Sequence, residues 1–145
     1  MNRDAAIRSL RAVEEDVVAA RFALAATLRS VEADPTALQQ EVSHAHLRRA
    51  AAGLEGTYLV RMFSAFEYGV REYWATLRST KPQLKPLLDR VGARTYMRWE
   101  WLDGAQAARE ERNSVVHGGG TRPRVPFTEC RQHLCRILSA LPREW

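Results

Sequence analysis

Late in the chain runs the segment Arg109-Glu110-Glu111-Arg112-Asn113-Ser114-Val115-Val116-His117-Gly118. It brings together a permanent cation, an amide and an imidazole, the one side-chain type whose ordinary titration lies near neutral pH. Those three groups suit the breaking of a phosphodiester without a metal. A histidine can move the proton of a ribose 2′-OH or of the leaving oxygen, and an arginine can hold phosphate oxygens and offset the developing charge. On a helix Asn113 and His117 are i, i+4 and share a face. Arg112 and His117 are five apart, about 140° around the helix, so Arg112 has to reach round with its long side chain. The bare Arg-x4-His spacing recurs by chance in a chain with twenty arginines and four histidines. A charged helix end capped by His117 is the structural alternative. The surroundings of the segment must therefore separate the two.

Other residues could support such a site. Glu67 sits among apolar neighbours on what reads as a core helix; it can orient Arg112 across a bundle or pair with Arg71 one turn on. Arg122 and Arg124, in the Pro-bounded stretch Thr121-Arg122-Pro123-Arg124-Val125-Pro126, are candidates for further RNA phosphate contacts. Glu110 and Glu111 read as a solvated charged face beside the motif. Trp99 and Trp101 with Arg94 and Arg98 mix rings and cations, as single-strand binding surfaces do, although core or dimer packing would also use the two indoles.

Several chemistries find no support. There is no P-loop, no strand-linked GxGxxG and no nucleophile elbow. Gly118-Gly119-Gly120 follows a helix instead of opening one, so its amides form no helix-N-terminal phosphate cradle. His44 and His46 lie two apart, pointing about 200° from each other on a helix. Cys130 and His133 are i, i+3, but Cys135 points elsewhere. No metal site and no cofactor is expected; the two cysteines read as small buried apolar residues.

Charge adds a direction. The net charge is +5, and only Lys81 and Lys85 among 22 basic residues are lysine. Residues 1–72 hold 9 basic and 10 acidic groups, whereas residues 73–145 hold 13 and 7. A basic second half points to a polyanion or an acidic partner on that side. No apolar run is long enough for a membrane span and the N-terminus shows no apolar signal core, so a cytoplasmic protein without membrane contact is expected.

The elements that must position these residues read as helices. With 145 residues and 46% hydrophobic content the chain is expected to form one domain. Leu10, Val13, Val17, Ala20, Leu24, Leu28 and Val31 form one long apolar stripe. Asp34-Pro35 should stop that helix and start another, with Leu38, Val42 and Ala45 inward and an end near Gly53. A third helix is predicted over 57–79, with Leu59, Phe63, Phe66, Val70, Tyr73, Trp74 and Leu77 buried. A short turn over 86–91 should close at Gly92. A fourth helix is predicted over 95–116, with Asp103-Gly104 as a candidate break. A last one carries Phe127, Cys130, Leu134, Ile137, Leu138 and Leu141. No segment alternates with period two. The expected fold is all-α, a bundle of four to five main helices.

In that setting, Arg112-Asn113-x-x-x-His117-Gly118 ending a late helix, with one more helix after it, resembles the HEPN superfamily (higher eukaryotes and prokaryotes nucleotide-binding domain). The helix Met62-Phe63-Ser64-Ala65-Phe66-Glu67-Tyr68-Gly69-Val70-Arg71-Glu72-Tyr73-Trp74 looks like the long core helix such domains carry. The resemblance covers roughly residues 55–141. It implies a metal-independent endoribonuclease, a candidate toxin or defence effector with a cognate antitoxin. It also implies a homodimer with two motif copies facing each other. The 2′-OH would attack the adjacent phosphate and leave a 2′,3′-cyclic phosphate. His117 would move protons, Arg112 would bind phosphate, and Asn113 would orient His117 or the substrate. Some family toxins carry a tyrosine, modified by a partner nucleotidyltransferase, two residues after the histidine. That position here is Gly119. Other HEPN domains are catalytically inactive and bind a protein partner or RNA, which is the alternative reading.

Overall fold

In a computed structural model the chain is all-helical. The structure describes residues 2–38, 42–118 and 125–145. Among them run α1 (Arg3–Ala33), a 3-10 turn (Pro35–Ala37), α2 (His44–Leu77), α3 (Leu84–Thr95), α4 (Trp99–His117) and α5 (Phe127–Ala140). None of these helices is long and apolar enough to cross a membrane.

Each start and stop has a local cause. The Asn2 side chain accepts from the Ala5 amide at 2.9 Å and caps α1. Pro35 ends α1, and Asp34 caps the next element, which is only one 3-10 turn. The expected second helix does not begin at Asp34-Pro35, and neither of its expected inward residues turns inward: Val42 is exposed and Ala45 lies on the outer surface of α2. α2 starts instead at a reciprocal cap. The Ser43 hydroxyl accepts from the His46 amide, and His46 Nδ1 accepts from the Ser43 amide. The helix then passes through Gly53 without a break and merges the two helices expected there. A glycine costs about 1 kcal/mol in a helix interior, too little to stop a 34-residue helix that holds no proline.

α2 is the central element and packs against every other helix. Leu59, Met62, Phe63, Phe66, Val70 and Tyr73 are buried along its second half. Ala6, Leu10, Val13 and Val17 of α1 join them in a single core, as do Leu87, Leu88 and Val91 of α3, Ala105 and Ala108 of α4, and the α5 stripe through Leu138. Phe63 and Phe66 pack with centroids 5.6 Å apart. Glu14 bridges α1 to Arg131 of α5 at 2.8 Å.

Two glycines expected to break helices serve close approach instead. α3 continues through Gly92, where an added Cβ would lie 2.6 Å from a methyl of Leu102. α4 continues through Gly104, where the His133 ring of α5 occupies the space a Cβ would need. The turn after α3 falls on Tyr96, with φ of 52° in the left-handed region. A bulky residue there carries strain of order 1–3 kcal/mol.

Candidate functional site

α4 packs on α2 and α5 with small residues at its buried face. Ala105 and Ala108 are fully buried in the shared core. Arg112 lies one turn beyond Ala108, so it projects on the same face, toward α2. There its guanidinium stacks over the Phe63 ring, 5.2 Å from the centroid. Its Nη2 donates to Glu67 Oε2 at 3.4 Å, and its Nη1 donates to Asn113 Oδ1 at 3.0 Å. The Nε of Arg112 is buried and has no hydrogen-bond partner among the described residues.

Glu67 takes both geometries open to it. Its Oε2 meets Arg112, and its Oε1 accepts from Arg71 Nε at 2.8 Å. Arg71 is anchored in turn through Nη1 to the Pro82 carbonyl at 3.0 Å. Two guanidinium groups on one carboxylate leave the trio with a surplus positive charge. Arg112 and Glu67 keep about a quarter of their side-chain surface exposed, 25% and 24%. The cation is therefore fixed in place and still reachable from solvent.

His117 is the last residue of α4 and is exposed. It makes no hydrogen bond or ion pair to the described residues. The helix closes behind it as expected, with the Gly118 amide donating to the Ser114 carbonyl at 2.8 Å. Arg112 and His117 are separated by about 7.5 Å of helix rise. Asn113 bonds Arg112 and not His117, so within this chain it orients the cation. Arg122 and Arg124 lie outside the described residues.

Glu110 and Glu111 part company. Glu110 is exposed, but Glu111 is buried and is the one buried charged residue among those described. It faces Cys130 on α5, so it is not part of a solvated face. Burial, with help from the Glu111 and Glu129 carboxylates, pushes the Cys130 thiol up to about 11. Burial raises Cys135 as well. Both thiols are therefore neutral and unreactive near pH 7.

The remaining polar residues fill structural roles. His46 caps α2, His44 approaches Glu32 at 3.9 Å, and His133 approaches Glu129 at 3.6 Å. The described residues hold no group of three His, Cys, Asp or Glu side chains able to take a metal. The sequence reading missed Phe63 as the shelf for Arg112. The available signal was its place one turn before Glu67 on the same helix face.

Family models, characterised proteins and solved structures offer no match to this chain. The site therefore stands on its own residues.

Proposed function

We propose that the chain is a metal-independent endoribonuclease of the HEPN type, acting as a homodimer, and a candidate toxin or defence effector with a cognate antitoxin. One observation carries the reading: a buttressed cation and an open imidazole share the end of one helix. Glu67, Asn113 and Phe63 fix Arg112, while His117 stays free at the tip.

Arg112 binds a non-bridging phosphate oxygen with the Nη hydrogens that Glu67 and Asn113 leave unused. The ribose 2′-oxygen attacks phosphorus as its proton passes to a neutral imidazole. The bond from phosphorus to the 5′-oxygen breaks, and that oxygen takes a proton from an imidazolium. The products are a 2′,3′-cyclic phosphate and a 5′-hydroxyl. In a dimer two copies of His117 divide the base and acid roles. Val116, exposed beside His117, gives the tip an apolar surface on which a second copy can close.

One observation favours the second reading, a catalytically inactive module that binds RNA or a protein partner. Arg112 is already ion-paired inside its own chain. Purified protein incubated with RNA in EDTA separates the two. Cleavage that leaves cyclic-phosphate ends and disappears in His117→Ala and Arg112→Ala supports the nuclease. Intact RNA across single-stranded and structured substrates rejects it.

A further inference from the structure

At the opposite end of α4 three arginines that bond to no described residue share one concavity, whereas several arginines elsewhere are ion-paired. Arg21 is matched by Glu55, Arg61 by Asp16 and Arg131 by Glu14. Arg78 at the end of α2, and Arg90 and Arg94 on α3, bond to no described residue. They line one concavity of about 490 Å³, and among the described residues no carboxylate lines it with them. Asp89, the acidic neighbour of Arg90, is engaged by Lys85 at 3.6 Å. Arg78 and Arg94 also offset the carbonyl ends of their helices. Arg90 lies a turn earlier in α3 and has no such task.

Two aromatic rings complete the wall. Trp74 is fixed, its indole N–H shared between the carbonyl and hydroxyl of Thr80 at 3.0 and 3.3 Å. Tyr96 is 94% exposed. It occupies the left-handed position where a helix end favours glycine or asparagine. The Met97 amide bonds the Gly92 carbonyl at 3.0 Å and fixes the turn that presents the ring. Trp99, three residues on, is 69% exposed. A flat exposed ring beside unpaired guanidinium groups matches one ligand chemistry, an unstacked base with its phosphates.

We propose that the corner formed by Arg78, Arg90, Arg94 and Tyr96 is a binding site for single-stranded nucleic acid, separate from the Arg112–His117 tip. Phosphates sit on the arginines and a base stacks on Tyr96. Duplex RNA is disfavoured because its bases are already stacked. The two sites are about 27 Å apart along α4. Exposed Glu100, Asp103 and Glu110 lie on α4 between them, so a strand does not follow that surface from one to the other. Binding at this corner does not require the tip to be catalytic.

The test is fluorescence anisotropy of a labelled single-stranded RNA of about ten nucleotides. It is run in the His117→Ala background so that cleavage cannot intervene. Tyr96→Gly removes the ring while suiting the turn, and circular dichroism checks the fold of each variant. Arg90→Ala/Arg94→Ala should weaken binding at least tenfold. It should also lower the slope of log affinity against log salt by about 1.4, the value for two lost phosphate contacts on a single strand. Tyr96→Gly should weaken binding several-fold with the slope unchanged, and the same sequence as a duplex should bind less well. Unchanged affinity in both variants would overturn the site. Equal displacement by polyglutamate, with Tyr96→Gly silent, would make the corner an acidic-protein surface instead. A mononucleotide competing as well as the oligonucleotide would overturn strand binding in favour of a free nucleotide.

Discussion

The two halves of α2 live in different environments. From Gly56 onward the helix buries eight residues; before it, from His44, it buries none. The same contrast runs along its neighbour α1, which buries Ala6, Leu10, Val13 and Val17, then nothing until Val31. The first stretch of α2 and the second of α1 form a two-helix arm, and the rest belongs to the body. In the arm Phe22 stands 72% exposed and Val18 59%. Small residues face one another there, Ala25 opposite Ala51 and Ala52, and leave a groove of about 440 Å³. The apolar stripe is as regular in the arm as in the body. Burial depends on a third helix arriving, and α4 and α5 cover only the body.

The contrast can be broken hardest at Phe66, which is fully buried where α2 meets its neighbours. Phe66→Ala should cost about 3–5 kcal/mol. Leu24→Ala in the arm should cost less than about 1 kcal/mol. Urea unfolding midpoints report both, and equal losses would show that the arm is as well packed as the body.

A pair of glycines sharpens the same comparison. Gly104→Ala pushes a methyl into the His133 ring and should destabilise by about 1–3 kcal/mol. Gly53→Ala meets nothing within 4 Å and should stabilise by up to about 1 kcal/mol. Thermal melts of the two variants should move in opposite directions.

The last effect is absent at neutral pH and appears only in alkali, and it belongs to the body alone, since both cysteines lie on α5. The folded Cys130 thiol titrates near 11 and the unfolded one near 9.0. Protons leave the unfolded chain first, so stability is intact below 9.0 and declines from there through about 11. Cys130→Ala should flatten that alkaline decline in urea titrations. An unchanged profile would place its source elsewhere.

The helices were legible because hydrophobic spacing is a local property. The stop at Asp34-Pro35, the end at Gly118 and the α5 stripe all depend on residues within a turn or two. The glycines misled for a physical reason. Gly53, Gly92 and Gly104 look alike in sequence, yet one faces open space and two admit a side chain from another helix. That side chain is distant in the chain, so no local pattern announces it. The candidate site divides the same way. Arg112, Asn113 and His117 are one segment and can be read together. Glu67 entered with two partners open, and its contact with both arginines emerged only when α2 was set against α4. The shelf of Phe63 left only a faint mark, its place one turn before Glu67, because a phenylalanine in a core stripe needs no second purpose. Leu24 and Leu28 show the opposite failure, an apolar stripe continuing where only α2 lies beside it and no third helix covers it.

The unbroken run of α2 has a mechanical meaning. Thirty-four residues make a rod about 51 Å long, without a proline to act as a joint. Its free end is the arm, and its fixed end carries Phe63 and Glu67, on which the Arg112 guanidinium rests. A load applied near His44 is delivered about 30 Å away, at the seat of that arginine. Handle and seat are one piece of the same lever.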